Sequence, residues 1–422
     1  MVKIEKNITY YYVDNIGDEL KYVCLINNDE DIKILDLLDM KHSRNFSLNY
    51  KFKKSPEELK RYRTELSLYN DEICKKWFKN KKEDKLFKIN IFKYLNMKDY
   101  IYAIANKNCN QELLKTIQPI DAKEFRMLES CICSALMTID KEYLNKQIDC
   151  YGYDFSKFYY HTMRKIKIPI DAPEYKKIPD IDFNKLEYGI YRVKVICDNK
   201  KFWNVFNFNN SHHYNSTTLS TLYKNKNKYQ IEFKLLEPDE MYAYNYVKYS
   251  KLVKLEDLFR QFFNVCDELI KTCSKSNWLL KSLLSTTWGT ISGYKKERVH
   301  KDKIKELDVY HLSKINQEQE TYEYYIYDRI GDRYEIIKSS NAYKYDGLGR
   351  IKNCLCEFGR LFIFKFLDKH NLVDNVIRIQ TDGIVLNKPF DFEKCGEQYY
   401  PIPESKTTGK LIFHNLNNWD EV

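Results

Sequence analysis

The sequence lacks the features that mark export, membrane insertion and structural zinc. Its 12 cysteines include no C-x-x-C pair and stand singly or as two C-x-C pairs, Cys131/Cys133 and Cys354/Cys356. A zinc ribbon is therefore not expected, and the cysteines read as reduced, mostly buried thiols. The N-terminal MVKIEKNITYYYVDN has no apolar run of the roughly 7–15 residues a secretion signal needs. The longest apolar patch, LFIFKFL at 361–367, is broken by Lys365 and falls far short of a membrane span. These absences predict a soluble, intracellular chain with no membrane partner. No repeat of fixed period is present, so a solenoid is excluded.

Glycine and proline are scarce, at 12 and 9 of 422 residues, whereas tyrosine and phenylalanine number 36 and 23. With the abundant Lys, Asn and Ile, this balance points to an AT-rich coding sequence before it points to a function. The length suits two or three domains and a sizeable core. Lys and Arg number 70 against 60 Asp and Glu, a net charge of +10. A modest excess of this sign favours a polyanionic partner, although most charges of either sign must be solvated surface.

Residues 1–145 read as an N-terminal domain of mixed structure. Strand-like YYYVDN and KYVCLI are followed by a lysine-rich, helix-like stretch from 53 to 90. From 146 the texture changes. A strand leads into helical SKFYYHTMRKI, then into an extended linker, KIPIDAPEYKKIPDID, whose three prolines oppose helix. Strand-like YGIYRVKVI, FWNVFNF and YQIEFKLL precede a helical pattern from Leu255 to Thr287, interrupted near Ser274–Asn277. A charged segment and the hairpin-like YEYYIYDRIGDRYEIIKSS follow, with IGDR at the turn. RIKNCLCEFGRLFIFKFLDKH reads as a helix and VIRIQTDGIVL as two short strands. Strands and helices without regular alternation predict an α+β fold.

Three constellations carry chemistry. In DCYGYDFSKFYYHTM, 149–163, Asp154 stands among aromatics, where a carboxylate loses water and needs a cation, a capped backbone or a metal. It reads either as the N-cap of the following helix or as an acid at a strand end, with Tyr159 reaching the same site from the helix. In KSLLSTTWG, 281–289, Lys281, Ser285 and Trp288 share one helical face. That string is either a plain amphipathic helix capped at Gly289 or a face offering an ammonium, a hydroxyl and a flat ring to a nucleotide. In VIRIQTDGIVL, 376–386, the bland reading is an Asp-Gly hairpin turn. The chemical reading sets Asp382 at the apex of two rigid strands, as a metal site requires.

The order of these strings, strand-Asp-helix, Lys-bearing helix and hairpin-Asp, resembles motifs A, B and C of family B DNA polymerases. That family carries D-x-x-S-L-Y-P, K-x-x-x-N-S-x-Y-G and D-T-D, where this chain has DFSKFYY, KSLLSTTWG and QTDG. The separations, 127 residues from Asp154 to Lys281 and 101 from Lys281 to Asp382, leave room for fingers and insertions, as in the protein-primed branch. ESKTTGKLIF resembles the Gly-Lys strand that follows motif C in that branch. The resemblance spans about 145–415. It implies a polymerase palm, an antiparallel sheet with helices, plus helical fingers over 146–422, with an insert at 290–345 able to clamp DNA. It makes Asp154 and Asp382 metal-bridging catalytic acids, with the Phe155 carbonyl as a further ligand for two Mg²⁺ ions that Mn²⁺ can replace. Lys281, with Lys271 a second candidate, would pair with the triphosphate. Ser285 lies on the same face, Trp288 would pack near the nascent base pair, and Tyr159 would be the steric gate that favours deoxynucleotides. The implied partners are a DNA primer-template, deoxynucleoside triphosphates and a terminal or priming protein.

The chain departs from the pattern at Lys157 for Ser, Tyr160 for Pro, Ser285 for Asn, Gln380 for the first Asp of motif C and Gly383 for Ser. These departures imply low activity or an altered metal preference. No exonuclease Asp-x-Glu stands in the expected place, since Asp140-Lys141-Glu142 lies immediately before motif A, so no proofreading is expected. Twelve residues follow Lys410, too few for the family's thumb, so its grip would come from a partner such as an accessory subunit, from the N-terminal domain, or not at all. The competing expectation is a weak or inactive polymerase-like subunit for nucleic-acid binding or assembly. A ribonucleotide-polymerising palm is a third reading, and Tyr159 argues against it.

Overall fold

The computed structural model describes residues 11–16, 19–28, 31–36, 97–131, 135–206, 211–238, 243–272, 278–307, 309–311, 323–391 and 403–421. The lysine-rich helix expected from 53 to 90 lies outside them. The protein is α+β and divides into two compact units that interleave along the chain. One comprises Met1–Asn110 with Phe259–Thr290, the other Gln111–Leu258 with Ile291–Val422.

The second unit is built on a six-stranded antiparallel sheet. Its strands are β1 (Met137–Ile139), β2 (Gln147–Phe155), β3 (Val376–Gln380), β4 (Gly383–Leu386), β5 (Pro403–Asn415) and β6 (Asn418–Glu421), in the order β6-β5-β2-β4-β3-β1. Side chains alternate across each strand. Tyr153 and Phe155 of β2 join Ile379, Ile384 and Leu386 in the core on one face. Two helices cover that face, α1 (Phe158–Lys165) and the long α2 (Arg350–Lys369). Phe155 meets Phe362 and Phe366 of α2 edge-on, with ring centroids 5.3 and 5.2 Å away. Where the helices meet, Gly359 is needed for close approach: a Cβ there would lie 3.1 Å from the Phe158 ring.

Around this core stand a five-stranded sheet containing Gly189–Ile196 and a four-stranded sheet built from Glu297–His300, Val309–His311, Tyr324–Ile330 and Arg333–Lys338. The last two strands form the expected hairpin, with Gly331 at φ 62° in its turn. The proline-bearing linker holds two short strands, Lys167–Pro169 and Glu174–Lys176. FWNVFNF, 202–208, departs from its strand expectation, because Lys200–Phe206 is a helix. Its buried residues Phe202, Val205 and Phe206 fall at i, i+3 and i+4, a helical period that the aromatic content concealed. The Asn199 side chain caps it, accepting from the Phe202 N–H at 2.9 Å.

In the first unit, Tyr11–Ile16, Glu19–Asn28 and Asp31–Asp36 form an antiparallel meander, as the strand-like N-terminal strings suggested. The helical pattern after Leu255 resolves into Leu255–Leu258, Arg260–Thr272 and Trp278–Ile291. Seven cysteines among the described residues are buried free thiols. No helix of the described residues is long and apolar enough to cross a membrane.

A buried ion pair anchors the start of α2. Arg350 donates from Nε to Glu124 Oε1 at 2.6 Å and from Nη2 to Oε2 at 2.8 Å, with both side chains fully buried. Its Nη1 donates to the Gln118 carbonyl at 2.7 Å, and the Tyr249 hydroxyl donates to Glu124 at 2.9 Å. Every strong donor and acceptor of the pair is thus satisfied, as burial of charge demands. Arg350→Met strands the carboxylate and should cost about 3–5 kcal/mol, whereas the double replacement Arg350→Met/Glu124→Met should recover part of it. Urea unfolding midpoints measure both, and a single variant as stable as the wild type would refute this role.

Further along α2, Glu357 is buried and accepts from the Thr218 N–H and hydroxyl at 3.0 and 2.5 Å. Burial pushes its carboxyl up to about 7. The folded chain therefore keeps this proton up to about pH 7, while the unfolded chain loses it in the ordinary carboxylate range. Stability contributed by the neutral form should fall by about 3 kcal/mol as pH rises through that window. Glu357→Gln should abolish this slope, so the stability difference between variant and wild type widens from pH 5 to 8. A difference that stays flat over that range contradicts the assignment.

Candidate functional site

Asp154 is the penultimate residue of β2. With Tyr153 and Phe155 turned into the core, its carboxylate belongs to the face away from the helices. It is not the helix N-cap. That position falls to Lys157, exposed at φ 53° and making no side-chain capping bond.

The hairpin β3–β4 supplies the second acid. Gln380 pairs with Gly383, leaving Thr381 and Asp382 as the loop. Asp382 is therefore at the apex, but the turn is Thr-Asp and Gly383 begins β4. The positive φ of this turn, 64°, falls on Thr381, a β-branched residue for which that conformation is strained. Two backbone bonds hold the loop: the Thr381 N–H donates to the Leu136 carbonyl at 2.8 Å, and the Phe155 N–H donates to the Asp382 carbonyl at 3.0 Å.

Register brings the acids together. Gln380, Gly383 and Asp154 lie directly across three neighbouring strands, and Glu404 of β5 is next in that row. The adjacent row on the same face is Arg378, Val385 and Gly152. Glycines in both rows leave the floor clear, and a cavity of about 430 Å³ opens over Asp154, Arg378, Gln380 and Asp382. A Cβ on Gly383 would come within 4.0 Å of Asp154 Oδ1.

Tyr159, the second residue of α1, shares this neighbourhood. Burial drives its phenol well above the ordinary range, the Cys356 thiol and the Asp382 carboxylate push it further up, and Arg360 opposes them. The hydroxyl stays protonated and is felt by the hairpin acid. Its ring stands edge-on to Phe158 at 5.5 Å. Phe155 has a fully buried side chain, so only its backbone can face the acids.

The remaining candidates lie in the other unit. Lys281 and Ser285 are exposed and Trp288 is half-buried on helix Trp278–Ile291, whose Leu280, Leu283, Leu284 and Thr287 are buried. The Ser285 hydroxyl donates back to the Lys281 carbonyl at 2.7 Å. Gly289 is not the C-cap, since the helix continues to Ile291. Lys271 pairs with Glu268 on its own helix at 3.0 Å. The structure thus gathers Asp154, Asp382, Tyr159 and the Phe155 backbone in one unit, and Lys281, Ser285, Trp288 and Lys271 in the other.

The acids fit a hard divalent cation. Among the described residues no group of three or more His, Cys, Asp and Glu side chains forms a closed cage. Two carboxylates beside an open cavity are instead oxygen donors of the kind a hard divalent cation such as Mg²⁺ prefers. Sequence reasoning missed Arg378 and the glycine floor. An arginine inside the apolar run VIRI carried the same signal that singled out Asp154.

No family model and no curated protein matches the chain. Solved structures of Phi29 DNA polymerase do match. The form complexed with single-stranded DNA aligns at 9% identity with a TM-score of 0.53, covering 95% of this chain and 70% of that one. The binary complex with primer-template DNA gives 11% and 0.52, covering 96% and 71%. The ternary complex with incoming nucleotides gives 8% and 0.52, covering 93% and 69%. For an orthorhombic crystal form, at 11% identity and a TM-score of 0.49, the match covers 76% of this chain and 55% of that one and adds nothing to the three complexes. The chain therefore has a fold distantly similar to that of Phi29 DNA polymerase.

Proposed function

We propose that the chain is a template-directed DNA polymerase that adds deoxynucleotides to an acceptor hydroxyl with release of pyrophosphate. The observation that carries this reading is the row that sets Asp154 opposite Gly383, next to Asp382, under an open cavity and beside Tyr159. Asp154, Asp382 and the Phe155 carbonyl would hold magnesium, which when bound lowers the pKa of the acceptor hydroxyl and neutralises the triphosphate.

The chain's own residues supply position. Backbone bonds on both sides of the hairpin fix Asp382, and strand pairing fixes Asp154, so neither acid has to reorganise when substrate arrives. Tyr159, neutral and wedged against Phe158, would close the space a ribose 2′-hydroxyl needs. Lys281 would pair with the triphosphate and Trp288 would pack on the nascent base pair, with Ser285 on the same face. Priming by a protein hydroxyl and absence of proofreading belong to the same proposal.

A second reading has one observation in its favour. Gln380, standing where the family has an acid, accepts a hydrogen bond from Arg378, an arrangement that suits a nucleic-acid-binding subunit with weakened catalysis.

Incorporation of deoxynucleotides on a primed template, and separately without primer, with Mg²⁺ or Mn²⁺, distinguishes the two. Asp154→Ala and Asp382→Ala should each lower incorporation by about 10²–10³-fold or more, and label attached to protein in the unprimed reaction would indicate protein priming. Wild-type chain inactive in every arm, with DNA binding unchanged in the variants, would favour the second reading. Tyr159→Ala should relax the preference for deoxy- over ribonucleotides by about 10–200-fold in the ratio of kcat/KM, while Tyr159→Phe keeps it. An unchanged ratio would remove Tyr159 from the sugar site.

A further inference from the structure

Arg378 is an ionised group in a setting that leaves its charge uncompensated. It lies within β3 and is 6% exposed. Of its three nitrogens only Nη2 finds an acceptor among the described residues, the side-chain oxygen of Gln380. Nε is buried with none, and no carboxylate of the described residues pairs with the guanidinium. Two aromatic rings give partial relief: the guanidinium carbon sits 4.5 Å from the Trp419 ring centre and 5.7 Å from that of Phe413. Such contacts compensate only a fraction of what desolvating a full charge costs. Gln380 spends its amide on Asn417 Oδ1 at 3.3 Å, so it orients the guanidinium without neutralising it.

The same side chain lines the cavity that holds Asp154 and Asp382, and it is the one cation among the described residues there. A planar, permanently charged fork that lines an open cavity and is short of acceptors among the described residues suits a phosphate oxygen. The acids would attract cations to one end of the cavity while Arg378 receives an anion at the other.

We propose that Arg378 and Gln380 form a phosphate-binding subsite on the floor of this cavity. The ligand is a phosphate group, either the terminal phosphodiester of a nucleic-acid strand or free pyrophosphate. The inference rests on the polymerase reading only for where such a phosphate would come from. It makes Arg378 a substrate-binding residue that Gln380 orients.

The test uses the full chain at low salt in EDTA, where the guanidinium meets the anion without competing divalent ions. Inorganic pyrophosphate binding is followed by calorimetry, and a short single-stranded oligodeoxynucleotide by fluorescence anisotropy. Arg378→Met should weaken one of the two by about 10–100-fold, and Arg378→Lys by less. Gln380→Glu leaves the arginine in place but gives it a carboxylate, and should weaken the same ligand; this variant carries the test if Arg378→Met does not fold. Weakening confined to the oligonucleotide identifies a strand phosphate, and weakening confined to pyrophosphate identifies the free anion. If neither ligand is affected in any variant, Arg378 merely packs against Trp419 and the subsite does not exist. Binding is read without turnover, so Arg378-dependent affinity in a chain that incorporates no nucleotide would sink the polymerase reading and leave the subsite standing.

Discussion

The pairing of β4 with β2 is the constraint on which the site depends. Antiparallel strands have a side-chain period of two, so a slip of one residue would turn Asp154 into the aromatic core and Tyr153 out of it. The core forbids that slip, because Tyr153, Phe155, Ile384 and Leu386 must all lie under α1 and α2. Hydrophobic burial on one face thereby fixes, on the other, which residue stands opposite Gly383. The Phe155 N–H to Asp382 carbonyl bond then ties the hairpin loop to the strand that carries the other acid. Chemistry on one face of the sheet is positioned by packing on the other.

The supports of that packing lie farther out. The long helix α2 starts at the fully buried Arg350–Glu124 pair and crosses α1 at Gly359, so its placement is set by one charged anchor and one small residue. Along its length it brings Cys356 and Arg360 to Tyr159. Charge buried with all its partners fixes a helix. At Arg378, charge buried with few partners marks a place for a ligand. The contrast between the two arginines lies in the carboxylate that Arg350 has and Arg378 lacks among the described residues.

Much of this was legible in the sequence wherever a polar residue interrupted an apolar pattern at a place that needs a reason. Asp154 and Asp382 stood out in that way, and the α+β class and the β3–β4 and Tyr324–Lys338 hairpins followed from strand periods and turn residues. Local chemistry was harder to read. FWNVFNF looked extended because aromatic residues favour strands, although its buried positions repeat every three to four residues and a capping Asn precedes it. The Asp-Gly turn rule placed the loop one residue too late, since the left-handed φ falls on Thr381. Arg378 interrupts an apolar run in the same way, but its role was not legible, because whether a strand arginine has a partner depends on chain 35 and 41 residues away, Phe413 and Trp419 in β5 and β6.

The central claim is that Asp154 and Asp382 act as one cation-holding pair for nucleotide transfer. Crystals soaked with Mn²⁺ and a deoxynucleoside triphosphate test it most directly through anomalous scattering. The account predicts an anomalous peak touching both carboxylates in the wild type and its loss in either Asp154→Asn or Asp382→Asn. A peak that binds only one of the two, or none at this cavity while triphosphate is bound, would contradict it.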